Sequence, residues 1–112
     1  MAKYGGITFS GNSGEKYYFQ VWPLETRFKA VGAVFFVTKR EHTGGTFRRM
    51  SHERIYIGQT GNLADPLATQ TQFTCFNKHG ANCVCVHLDA NEERRLAIEQ
   101  DLAANHSTSC NP

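Results

Sequence analysis

The sequence predicts an α+β domain: a small, mainly antiparallel β-sheet flanked by helices, with an extra N-terminal β-hairpin. Three observations point there. Strand-length segments rich in Tyr, Phe, Val and Ile recur between clusters of turn residues. One of them, residues 31–37, is apolar almost throughout, as a strand covered on both faces should be. Two later stretches carry helix-start signals, Asp65-Pro66 and Asp89 to Asn91. With 112 residues, 40% of them hydrophobic, the chain supplies one core and reads as one domain, 1–112, divided into a hairpin extension (1–30) and a core (31–111).

In order, residues 4–9 and 15–22 form the hairpin across Ser10-Gly11-Asn12-Ser13-Gly14, and Pro23 ends its second strand. Its aromatics, Tyr4, Phe9, Tyr17, Tyr18, Phe19 and Trp22, read as hairpin core in preference to a base-stacking platform. Residues 24–30 connect to the strand at 31–37. Residues 39–54 read as a polar loop in which Lys39, Arg40, Arg48, Arg49, His52 and Arg54 outnumber Glu41 and Glu53. Such a loop is either merely solvated or a phosphate contact.

The strand Ile55-Tyr56-Ile57 stops at Gly58-Gln59-Thr60-Gly61-Asn62, a turn that opens toward a helix. Alternation would place Arg54, Tyr56 and Gly58 on one face and Ile55 and Ile57 on the other. A basic residue, a phenol and a bare stretch of backbone would then share one side. Asp65 as N-cap and Pro66 as the first helical residue begin an uneven helix that Gly80 stops, its middle weakened by Thr69-Gln70-Thr71-Gln72. Residues 83–88 form a further strand. A helix of about 12 residues follows, with Glu92 and Glu93 well placed in its first turn. The tail from Asn105 is small and polar.

That last helix carries an anomaly. Leu96, Ile98, Leu102 and Ala103 form its apolar arc, and Glu99 falls near the middle of it. A carboxylate aimed at a core is costly unless it is paired, hydrogen-bonded or bound to a metal. Arg95 is the ordinary partner to expect.

Ala33-Val34-Phe35 on one strand, Tyr56-Ile57-Gly58 on the next, Glu99 on a later helix and the Cys110-Asn111 ending resemble, in that order, the GIY-YIG nuclease superfamily. The resemblance spans about residues 31–111 and leaves the hairpin outside. It implies two strand motifs lying side by side, a helical glutamate that holds a divalent metal, and Mg²⁺-assisted phosphodiester hydrolysis. Magnesium needs only one or two carboxylates, so Glu99 could suffice. On this resemblance the catalytic set is Tyr56, Glu99 and Arg54, with Glu99 as the metal ligand. Substrate contacts fall to Phe35, Gly58, Thr60, Lys78, His79 and Asn111, and Gly58 would keep the cleft open.

Two departures weaken the catalytic set. Phe35 stands where the first motif has a tyrosine, and no arginine lies between Arg54 and Arg94, where the family has one. Loss of a charge-stabilising group costs about 3–4 kcal/mol of barrier, so weak or lost nuclease activity is the expectation. A domain that binds nucleic acid or another phosphate ligand around Tyr56 and Glu99 follows. The alternatives are an active Mg²⁺-dependent endonuclease with Arg54 as substitute cation, and a structural or protein-interaction domain.

The remaining expectations concern compartment and metals. A net charge of +2 permits a nucleic-acid partner without demanding one. No apolar run reaches membrane-spanning length, so no membrane partner is expected. The N-terminus lacks the apolar core of a signal peptide, which suggests a cytoplasmic protein with Cys75, Cys83, Cys85 and Cys110 reduced. Cys75, His79, Cys83, Cys85 and His87 are zinc-type donors, but same-face strand cysteines do not make a zinc knuckle, and no zinc is expected. Nothing in the sequence fixes an oligomeric state.

Overall fold

The computed structural model describes residues 3–42, 50–65 and 73–111. Five strands and two helices run in the order β1 (Gly5–Ser10), β2 (Lys16–Pro23), β3 (Ala33–His42), β4 (Met50–Thr60), α1 (Phe73–Lys78), β5 (Cys83–Leu88) and α2 (Glu92–Asn105). The strands make one antiparallel sheet in the order β1-β2-β5-β3-β4. This is the small α+β architecture read from the sequence.

The hairpin forms as expected, with Ile7 opposite Phe19 and Phe9 opposite Tyr17. It is no appendage, however. β2 pairs along β5 (Val21 with Cys85, Trp22 with Val84), so the hairpin extends the same sheet. The sheet curls until Phe9 of β1 meets Phe36 of β3, with ring centroids 4.5 Å apart. Pro23 is the last residue of β2, a position that tolerates its missing N–H.

β3 lies between β5 and β4, and residues 33–37 are buried on both faces. The sheet therefore has two apolar sides. On one, Phe9, Phe19, Val34, Phe36, Ile57 and Leu102 pack under α2. On the other, Phe35, Val37, Ile55, Leu63, Phe76 and Cys110 pack under α1 and the C-terminal tail.

The polar stretch expected as a loop at 39–54 is strand at both ends. Lys39 pairs with Glu53, Arg40 with His52 and Glu41 with Ser51, which extends β3 and β4 into a charged ribbon. Lys39 opposite Glu53 sets unlike charges directly across the ribbon, which favours this register. Residues 43–49, with Arg48 and Arg49, lie outside the described residues, as do residues 66–72 of the expected first helix. What is described of that helix, α1, ends at Gly80, whose φ of 72° is the left-handed stop that glycine allows.

α2 is 14 residues long and starts at Asn91, whose Oδ1 accepts the Arg94 N–H at 2.9 Å. Its buried stripe differs from the predicted arc. Leu102 is buried and Ile98 packs beside it, but Ala103 is exposed and Leu96 is 38% exposed. Arg95, one heptad before Leu102 and hence on the same stripe, is buried in their stead.

Candidate functional site at the outer edge of β4

β4 is an edge strand, and its outer edge is closed by the tail. Cys110 N–H donates to Ile55 O at 2.8 Å. Asn111 then uses its side-chain amide as a peptide group would: Ile57 N–H donates to its Oδ1 at 2.8 Å, and its Nδ2 donates to Ile57 O at 2.9 Å. A disulfide between Cys75 of α1 and Cys110 holds the tail in place. This corrects the expectation of four reduced thiols. Cys83 and Cys85 alone are free, both buried in β5, and burial pushes the Cys85 thiol up to about 12.

The two strand motifs are antiparallel neighbours, with Phe35 opposite Gly58 and Val37 opposite Tyr56. A side chain on Gly58 would come within 2.9 Å of both the Phe35 and Tyr56 rings. Those rings, with centroids 6.0 Å apart, fill the space that an open cleft would need. Phe35 is 1% exposed and Gly58 is buried, so neither is placed to touch a substrate. The glycine here serves aromatic packing, which corrects its reading as a bare backbone patch.

Tyr56 is half-buried, with its ring also against Phe76 at 5.5 Å. Burial raises its phenol pKa, and the charge of Glu99 raises it further. Glu99 is itself half-buried, and desolvation raises its carboxyl pKa. Tyr56 packs with the α1-side cluster whereas Glu99 lies on α2, and the two are linked through the field of the Glu99 carboxylate. The expected Arg95–Glu99 ion pair is not formed. Arg95 is 5% exposed; its Nε donates to Gln59 Oε1 and its Nη1 to Asp89 O, each at 3.0 Å.

Arg54 is not on the Tyr56 face. The pairing jumps from Val37–Tyr56 to Thr38–Arg54, leaving Ile55 as the extra residue of a bulge. One extra residue reverses the faces beyond it. Ile55 consequently packs with Tyr56 on the α1 side, and Arg54 lies over the Phe9 ring, 5.9 Å from its centroid, on the α2 side. The alternation that made Arg54 a partner of Tyr56 is broken at that bulge.

The other expected contacts scatter. Thr60 spends its hydroxyl on the turn, donating to Asn62 O at 3.2 Å and accepting the Asn62 N–H at 3.1 Å. Lys78 is exposed at the end of α1. His79 is half-buried beside the disulfide. Cys83 and Cys85 belong to the α2-side core, and His87 bonds the Tyr18 carbonyl, so these three make no site with Cys75.

Three of the basic residues read as a polar loop, Arg40, His52 and Arg54, gather as a cluster on the α2 side, a placement that sequence reasoning missed. Arg40, with its guanidinium 4.3 Å from the Tyr4 ring centroid, and Arg54 flank His52. Burial lowers the His52 pKa first, and the two arginines lower it further. His106 is likewise lowered, by burial and then by Arg54. Among the described residues neither arginine is within ion-pair distance of a carboxylate. Asp101 was also missed: it accepts from Ser13 N–H, Ser13 Oγ and Tyr17 OH at 2.6–2.8 Å, tying α2 to the hairpin turn.

For a metal, Glu99 offers one oxygen-donor carboxylate, the least that Mg²⁺ accepts. The group of three donors found among the described residues is Cys75, His79 and Cys110, whose sulfur and nitrogen do not suit magnesium. No helix among the described residues is long and apolar enough to cross a membrane. No protein-family model, curated protein or solved structure matches the chain.

Proposed function

We propose that this chain is a GIY-YIG-like domain with weak or lost nuclease activity that binds nucleic acid or another phosphate ligand around Tyr56 and Glu99. The observation that carries the reading is the side-by-side pairing of the two motif strands, with Phe35 opposite Gly58 and Val37 opposite Tyr56. On the α2 side of the sheet, where the Glu99 helix packs, electrostatic hold on the ligand falls to Arg40 and Arg54, two half-exposed cations without a carboxylate partner among the described residues. Any Mg²⁺ would be held by Glu99 together with a ligand phosphate, and would supply charge neutralisation there.

Weak hydrolysis follows from three features. The Tyr56 pKa is raised, so little phenolate is present to take a proton from water. Phe35 has no hydroxyl. Arg54 sits across the sheet from Tyr56, which disfavours the active-endonuclease alternative that relies on it. One observation favours a protein-interaction domain as the second reading: the Phe35 and Tyr56 rings fill the space over Gly58.

The test incubates the protein with labelled single-stranded and duplex DNA and RNA, with and without Mg²⁺ or Mn²⁺, over a salt series. The reading expects intact oligonucleotide and binding that weakens as salt rises, with a salt slope reduced by about one for each of Arg40→Ala and Arg54→Ala. Vigorous cleavage lost in Glu99→Ala and Tyr56→Phe would establish the enzyme. No binding at low salt would favour the interaction domain.

A further inference from the structure

The Cys75–Cys110 bridge has a third donor beside it. Cys75 Sγ, Cys110 Sγ and a ring nitrogen of His79 all lie within 4.8 Å of one another. Cys75 and His79 are four residues apart, one helical turn, and the His79 N–H donates to Cys75 O at 3.1 Å, which keeps both side chains on one side of that turn. The His79 ring makes no hydrogen bond to any described residue, although it is half-buried. An imidazole in that state has a lone pair to offer. Zinc binds sulfur at about 2.3 Å and imidazole at about 2.0–2.1 Å in a tetrahedron, so its ligand atoms lie about 3.5–4 Å apart. The imidazole nitrogen is within 4.8 Å of both sulfurs, and the sulfurs, bonded to each other in the bridge, need only separate once reduced to reach that spacing.

We propose that Cys75, His79 and Cys110 form a redox-gated zinc site, in which the disulfide and the metal are alternative ways of pinning the C-terminal tail. A dithiol reductant transfers two electrons and two protons to the bridge, giving two thiols and its own disulfide. Zinc then displaces the two thiol protons and binds two thiolates and the His79 nitrogen, with water in the fourth position. Cys83 and Cys85 take no part, because they lie in the other core cluster on the opposite side of the sheet. The sequence reading expects no zinc because the strand cysteines Cys83 and Cys85 do not make a knuckle, and the donors that converge here are different ones.

Both states keep Cys110 beside α1, and so keep Cys110 N–H on Ile55 O and Asn111 on Ile57 at the edge carrying Tyr56. The site does not depend on any phosphate ligand, and its test does not read nucleic-acid binding.

The experiment uses the full chain, reduced with a phosphine, desalted without oxygen, and given equimolar Zn²⁺ or Co²⁺. Metal is measured after gel filtration, and affinity by competition with a chromophoric chelator. The expected result is one zinc per reduced chain and none per oxidised chain, with Co²⁺ giving thiolate charge-transfer and tetrahedral visible bands. Cys110→Ser should abolish uptake. Loss of an outer-shell partner alone costs about 10–100-fold in affinity, so His79→Ala should cost at least that. The His79→Ala variant keeps both cysteines, so it reads the site even where Cys110→Ser fails to fold. Reduced protein that takes up no zinc would overturn the proposal. So would uptake that His79→Ala leaves unchanged, or that is lost only when Cys83 and Cys85 are replaced.

Discussion

Removing the Cys75–Cys110 bridge, by Cys75→Ala with Cys110→Ala in metal-free buffer, tests how the tail is held. The bridged residues are 35 apart in sequence. Closing a loop of that length removes about 13 cal/mol/K from the unfolded chain, or about 4 kcal/mol at 25 °C. The native state keeps the Asn111–Ile57 pair and the Cys110 N–H bond to Ile55, so the loss falls mainly on the unfolded side. For 112 residues the unfolding entropy is about 0.24 kcal/mol/K near 60 °C, so 4 kcal/mol corresponds to a Tm lower by about 17 °C. Urea titration and calorimetry on oxidised wild type and the double variant give both numbers. A loss below about 1 kcal/mol would refute the reasoning, because the bridge would then not constrain the unfolded chain.

Gly58→Ala puts a methyl against the Phe35 and Tyr56 rings and should destabilise by about 1–3 kcal/mol in the same titration. Arg95→Ala leaves Gln59 Oε1 and the Asp89 carbonyl without their buried donor and should cost about 2–4 kcal/mol, against less for Gln59→Ala. Burial raises the Glu99 pKa, so the folded state prefers the protonated acid. That preference is full below the unfolded carboxyl range and is lost as pH rises through the folded pKa. Glu99→Gln should therefore stabilise at neutral pH, with the gain fading as pH falls. Asp101 has the opposite sign: its bonds from Ser13 and Tyr17 hold its pKa low. Its stabilisation is present above the usual carboxylate range and disappears as pH falls through the folded value, so Asp101→Asn should destabilise at pH 7 by an amount that shrinks as the pH is lowered through the acid range.

The elements were largely legible because their signals are local. The apolar run at 31–37, the turn at 10–14, the glycine stop at 80 and the Asn91 cap each act within a few residues. The site was less legible because its geometry depends on single-residue events and long-range closure. A bulge at Ile55 has no mark in the sequence, yet it moves Arg54 to the far side of the sheet from Tyr56. Cys75 and Cys110 meet only because α1 and the tail both fold over the same sheet face. The annealing of β2 to β5 likewise joins residues 60–66 apart, and it alone decides that the hairpin shares the core. Arg95 could have been found: it repeats the Leu102 position one heptad earlier, and a charge on a buried stripe marks a side chain with specific partners.

The central claim is ligand binding without efficient hydrolysis at the Tyr56–Glu99 edge. An amide-resolved NMR titration of the isotopically labelled chain with a short oligonucleotide, in Mg²⁺ at low salt, tests it most directly. The account predicts shifts that concentrate at Arg54, Tyr56, Ile57 and Glu99 and at Arg40, that shrink as salt is raised, and an oligonucleotide recovered intact. Shifts confined to the Ser10–Gly14 turn, no shifts at all, or a cleaved oligonucleotide would contradict it.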